Sequence, residues 1–274
     1  MWNTVKTALL LGALTALFML IGRAFGGQNG MIIGLAFAGV SNFVSWWFSD
    51  RIVLAMHQAK EVGPEDSPEF YGMVADLARR AEIPMPRVYI IPTDAPNAFA
   101  TGRDPAHAAV AATQGILRAM PMDELRAVMA HELGHVVHRD TLIATLAATL
   151  AGAISMFARF GYFFGGDRRD RNPIVDIATM LIAPLAAMVI QLAVSRSREY
   201  GADEFSARLL GDPEPLARAL LRIEAAGQRG LLMPANNAVS HMYISNPGRV
   251  VMSLFRTHPL TEDRVARLRT LDLR

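Results

Sequence analysis

Four stretches of the chain carry no charged residue: Thr7 to Gly22, Met31 to Phe48, Thr141 to Ala158 and Ile177 to Val194. The shortest has 16 residues and the others 18, and the last reaches back to Ile174 if Asp176 is admitted at its edge. A helix of 18 residues spans roughly 27 Å, close to the roughly 30 Å hydrocarbon core of a bilayer. Core helices of soluble proteins usually show shorter apolar runs, so the pattern predicts four transmembrane helices. No small-x-small cleavage site follows the first run, and the second begins almost at once, so the first reads as an uncleaved anchor. The runs pair into two hairpins, turning at Arg23 to Gly30 and at Gly165 to Pro173, where Gly, Asn and Pro supply turn chemistry. Trp46 and Trp47 close the second run, the position of interfacial aromatics.

The remaining segments alternate in other ways. Ser67 to Arg80 has a helical stripe of Phe70, Met73, Val74 and Leu77. Pro86 to Pro92 reads as a strand bracketed by prolines. Asn97 to Gly102 and Ala108 to Thr113 read as two strands turned by Arg103 to His107. Pro121-Met122-Asp123-Glu124 opens a helix that runs through His138, with two acids where the helix dipole favours them. From residue 195 the chain is mostly helical, apart from an Asn-, Pro- and Ser-rich loop from Leu232 to Pro247, and Pro259-Leu260-Thr261-Glu262 starts a last, Arg-rich amphipathic helix. The expected fold is mainly α with a small β-sheet. Its segments are a transmembrane hairpin (1–48), the first part of a polar domain (49–140), a second hairpin (141–194) and the rest of that domain (195–274).

Composition agrees with a membrane protein. Apolar residues make up 52% and charged residues 19%, against about 25% charged in ordinary soluble domains. A net charge of +2 without a long Lys/Arg block excludes nucleic acid as the expected partner. The absence of cysteine excludes disulfides, thiolate metal ligation and a Cys nucleophile. With an even number of spans, both termini and the 49–140 segment share one side. Near the spans that side carries eight Lys or Arg against four in the two turns, which favours the cytoplasm, although Arg168, Arg169 and Arg171 argue the other way.

Without cysteine, any metal falls to His, Asp or Glu. His131 and His135 lie four apart on a predicted helix, which stacks both imidazoles on one face at a separation suited to zinc. Glu132 is one step round the helix, placed to take a proton from an activated water. Such a triplet arises by chance in roughly one of a hundred sequences of this composition. A third His six residues after His135 is ruled out, because Thr141 stands there, and His138 replaces the Gly that pattern requires. Glu199 and Asp203, four apart just after the fourth apolar run, offer a third ligand and an acceptor for a ligand imidazole N–H. The competing reading makes them solvated acids beside Arg196 and Arg198. The second hairpin would return Glu199 to the membrane face from which His135 departs.

Together with Asn97-Ala98-Phe99-Ala100-Thr101-Gly102 and Thr257-His258-Pro259, these motifs resemble the HtpX family of membrane zinc peptidases, relatives of the CAAX prenyl proteases. The resemblance covers nearly the whole chain. It implies a gluzincin-type metallopeptidase domain interrupted by a transmembrane hairpin, with one Zn2+ on His131, His135 and Glu199 and with Glu132 as base. It further implies a multi-pass protein of the bacterial inner membrane whose active site faces the cytoplasm and clears damaged membrane proteins. Asn97, Ala98, Phe99 and Ala100 would then bind substrate as an added strand, their small neighbours admitting a peptide backbone. His258 would donate to the oxyanion, although capping the following helix is an alternative. His241 is a weaker cleft candidate, and His57, His107 and His138 read as surface or packing residues. The expected activity is zinc-dependent endoproteolysis. Its rivals are a non-catalytic membrane adaptor or chaperone with a structural zinc, and a metal transporter. A structural site is usually closed by four protein ligands, and a transporter needs ionisable residues at the centres of its spans, where none occurs.

Overall fold

The computed structural model of the protein describes residues 2–143, 196–228 and 259–273. The expected second hairpin beyond residue 143, the loop from Leu232 to Pro247 with His241, and His258 lie outside the described residues.

Helix α1 covers Trp2–Trp47 but is broken at Gly26 and Gly27, whose φ/ψ values of −136°/17° and 57°/−136° leave the helical region. Gly27 can take the positive φ because it has no Cβ. The chain doubles back here, inside the turn expected at Arg23 to Gly30. The two arms touch through glycines: a Cβ on Gly22 or Gly30 would strike the opposite arm's carbonyl. Asn42 Nδ2 locks the pair further along, donating to the Leu11 carbonyl at 3.2 Å and Thr15 Oγ1 at 3.0 Å. The outer face exposes large apolar side chains, among them Leu20, Ile33, Phe37 and Phe43, a surface that water would penalise and lipid would not. Among the described residues, one helix, Gly26–Trp47, is long and apolar enough to cross a membrane, and the first arm contributes a shorter apolar stretch, Leu11–Leu20.

A four-stranded sheet follows, made of β1 (Lys60–Glu61), β2 (Arg87–Ile91), β3 (Ala98–Thr101) and β4 (Ala109–Thr113). Its order is β1-β2-β4-β3, with β2 and β4 parallel and the outer pairs antiparallel. The period-2 rule sorts β4 cleanly. Val110 and Ala112 join the main core with helix α3 (Pro68–Arg80), while Ala109 and Ala111 face Val53 and Leu54 of α2 (Ser49–Met56). Helix α2, β1 and the short α4 (Gln114–Ala119) add to the predicted elements. The strands at 87–91, 98–101 and 109–113 and the helix at 68–80 fall inside their expected ranges, and the turn at 103–107 contains a short 3-10 helix, Pro105–His107.

Helix α5 (Met122–Val137) is the centre of the domain: eleven of its residues are buried, including His131, Glu132 and Glu124. It packs against β3, α3, α6 (Arg196–Leu210) and α7 (Glu214–Gln228), and α8 (Thr261–Arg269) closes over α6 and α7. Its register on α7 is held by Glu124, which accepts from Arg222 Nε at 2.6 Å and Nη2 at 3.0 Å.

Candidate metal centre

Gly134 decides how near α6 can come to α5. A Cβ there would lie 3.1 Å from Ala202 Cα and from the Phe205 ring. Its absence lets the helices approach almost backbone to backbone, and Ser206 Oγ confirms the seam by donating to the Ala127 carbonyl at 2.8 Å. The approach carries Glu199 over His131 and His135. One ligand-type atom from each of the three lies within 4.8 Å of the other two. Glu199 Oε2 is 3.8 Å from His131 Nε2, and Oε1 is 3.7 Å from His135 Nε2. Donors about 2.1 Å from a tetrahedral divalent ion sit about 3.4 Å apart, so one Glu199 oxygen and the two imidazole nitrogens, now within 4.8 Å of one another, would draw together on an ion. Glu199 and Asp203 are both buried, which removes the reading of two solvated acids.

The other imidazole nitrogens point at carboxylates. His131 Nδ1 is 2.9 Å from Asp203 Oδ1, and His135 Nδ1 is 3.5 Å from Asp140 Oδ2. Each arrangement turns an Nε2 lone pair toward Glu199. Burial lowers the His135 pKa, but the hydrogen bond to Asp140 and the charges of Glu199, Glu132 and Asp140 outweigh it and raise it to about 8. A site that pulls a proton onto a buried imidazole is one in which a cation is wanted. Glu132 is buried beside the cluster, and its Oε2 accepts from Ala100 N at 3.0 Å. Burial pushes its pKa up, helped by Glu199 and opposed by His131, His135 and the Ala100 N–H.

Asp203 is held from behind by Arg264 of α8, which is 2% exposed. Arg264 Nε and Nη2 donate to Asp203 at 2.9 and 2.6 Å, and Nη1 is 3.4 Å from Glu199 Oε2. Burial raises the Asp203 pKa, yet Arg264 and His131 outweigh it and hold the carboxyl below its ordinary value. Sequence reasoning missed Arg264 and Asp140. A signal for Arg264 was present: it shares the i, i+1, i+4 stripe of α8 with Val265 and Leu268, so an arginine sits where an apolar residue is expected. Asp140 carried no such signal, because its approach to His135 depends on the chain turning at Arg139, which has φ +58°.

The proposed substrate strand lies next to the metal cluster. β3 ends the sheet, yet all four of its residues are buried. Thr113 N donates to the Asn97 carbonyl at 2.9 Å, so antiparallel alternation points the backbone N–H and C=O of Ala98 and Ala100 away from β4. The Ala100 N–H meets Glu132. Asn97 is tied inward, donating to Thr113 Oγ1 at 2.9 Å, and the Phe99 ring packs 5.1 Å from His57 on the opposite sheet face. His138 packs against Phe205.

A family model described as Peptidase family M48 matches residues 64–272. Protease HtpX homologs from Methylibium petroleiphilum and Burkholderia cenocepacia are 56% and 55% identical, each covering 98% of this chain, with 97% and 96% of their own lengths matched. The crystal structure of S. mikatae Ste24p superposes with a TM-score of 0.53 at 19% identity, over 97% of this chain. The chain spans 65% of that longer protein, and the likeness is one of fold.

Proposed function

The chain belongs to peptidase family M48 and is a membrane metalloprotease, and on that premise we propose how it cleaves, where, and on what. The observation that carries the proposal is the His131, His135 and Glu199 cradle with Glu132 beside it.

The ion we propose is zinc, since two imidazoles and one carboxylate form a common three-ligand set for catalytic zinc, with one position left for water or substrate. When bound, zinc supplies Lewis acidity, lowering the pKa of a water to about 7 and polarising the scissile carbonyl. Asp203 and Asp140 keep protons on the two Nδ1 atoms so that both Nε2 atoms face inward. Glu132 accepts the proton of the attacking water and returns it to the leaving amide nitrogen, so that the peptide C–N bond breaks and the amine leaves neutral. A substrate segment adds to β3 through the outward backbone groups of Ala98 and Ala100, reading main chain rather than side chains. Because β3 is buried, that segment inserts inside the fold instead of docking on an open edge. His258 as oxyanion donor stays part of the proposal.

The substrates are peptides or proteins, and we propose misfolded or damaged membrane proteins among them, cleaved at the cytoplasmic face of a bacterial inner membrane by a protein with four spans. The relatives are named proteases, which disfavours the adaptor reading. Glu132→Gln should retain zinc while casein cleavage falls by a factor of about 10²–10⁴, and Glu199→Ala should lose zinc. Undiminished cleavage in the first, or full zinc content in the second, removes the corresponding role.

A further inference from the structure

On the sheet face opposite the metal cluster, where α1 ends, lies a cavity of about 320 Å³, within the roughly 300–1,000 Å³ of small-molecule sites. Its wall carries three guanidinium groups, Arg51, Arg87 and Arg103, and one carboxylate, Asp50. Asp50 is already paired with Arg87. Arg103 reaches only 3.7 Å from Asp104. Among the described residues, no carboxylate lies within salt-bridge distance of Arg51, which is exposed and stands 5.7 Å from the Phe48 ring centre. The cavity therefore presents two weakly compensated cations converging on one space.

Its other wall is the end of the long apolar helix arm. Trp47 and Phe48, at the end of the apolar Gly26–Trp47 arm, line it together with Met85 and Ala106. Arg103 lies 4.4 Å over the Trp47 ring and donates to the Trp47 carbonyl at 3.3 Å. With Gly26–Trp47 read as a span, a guanidinium held on this indole sits at headgroup depth, with an apolar ledge beside it. No residue of this cavity belongs to the metal cluster or its supporting carboxylates.

We propose that this cavity binds the phosphate of an anionic phospholipid headgroup, with Arg51 and Arg103 as its ligands and Trp47 as the ledge for the glycerol. A lipid is favoured over a soluble phosphate because the cavity opens beside the end of a span, where the cytoplasmic leaflet of the proposed orientation is negatively charged. The occupant joins α1 to the β3–β4 turn. Arg103 follows Gly102, whose carbonyl accepts from Thr141 Oγ1 at 2.9 Å beyond the end of α5, so lipid at Arg103 bears on the strand that touches Glu132. The proposal rests on reading Gly26–Trp47 as a span and not on the peptidase chemistry.

The test uses purified full-length protein in a neutral detergent, titrated with phosphatidylglycerol, phosphatidylcholine or inorganic phosphate and read by native mass spectrometry. One phosphatidylglycerol per chain should bind saturably, with phosphatidylcholine weak and inorganic phosphate a poor competitor. At about 1 kcal/mol for each cation near the surface, Arg51→Gln and Arg103→Gln should each weaken binding about fivefold. Arg218→Gln, on the far side of the domain, should not. Unchanged affinity in both cavity variants, or equal retention of phosphatidylcholine, overturns the proposal, and equal competition by inorganic phosphate overturns its lipid assignment. Carbonate-resistant membrane association and thermal unfolding, measured on the same variants, separate loss of the site from loss of the span or of the fold.

Discussion

Replacing Arg264 with Met should damage the metal centre from outside it. The side chain is 2% exposed and faces two buried carboxylates, Asp203 and Glu199. Met fills much of the same space, so the loss is electrostatic. Breaking one side of a buried ion pair costs about 3–5 kcal/mol, because the surviving charge stays desolvated without a partner. At about 2–4 °C per kcal/mol for a domain of this size, the expected fall in Tm is about 6–20 °C. Asp203 would also be freed to rotate away from His131, so zinc content should fall with stability. The assay is thermal unfolding in detergent alongside metal analysis of the same sample. Arg264→Lys keeps the charge but cannot reproduce the two-pronged contact, and should fall between wild type and Arg264→Met on both measures. Wild-type Tm and metal content in Arg264→Met would refute the argument, because no buried charge could then depend on this guanidinium.

Gly134→Ala should push α6 from α5 by a few tenths of an ångström, since its Cβ would sit 3.1 Å from Ala202 Cα; metal affinity should fall more than helicity, by metal titration and circular dichroism. Ala100→Pro removes the N–H that donates to Glu132 without removing a bond of the sheet ladder, because that N–H points away from β4. Loss of a hydrogen bond to a charged group, about 1.5–3 kcal/mol, should lower Tm by about 3–12 °C and cost at least tenfold in cleavage rate; an equally active variant would remove the role of this N–H. Burial holds His57 below its ordinary value of 6.5, against the opposing Val53 carbonyl. The folded state thus binds fewer protons there than the unfolded state, and its contribution to stability is full above pH 6.5 and is lost as pH falls toward the lowered value. His57→Gln should flatten that part of a Tm-against-pH curve, and an unchanged slope would remove His57 as its source.

The sequence by itself determined everything that depends on spacing along one element. The apolar run from Met31 to Phe48, the stripe of α3, the short strands and the His131-Glu132-Leu133-Gly134-His135 turn follow from local patterns along one element. It also located Glu199 and Asp203 as a pair, since four residues is one helical turn. What it left open was whether those acids are solvated, because burial is a property of the neighbours. Only the tertiary structure brings α6 against Gly134 and so turns Glu199 toward both Nε2 atoms. Helix α2 went unread because eight residues beginning inside the interfacial stretch carry too few turns to show a period, and its apolar face is decided by the sheet it covers. Arg264 and Asp140 are the same lesson at the site. They lie 61 residues from Asp203 and five from His135, and no spacing rule links them. Long-range packing brings Arg264 to Asp203, and the turn at Arg139 brings Asp140 to His135.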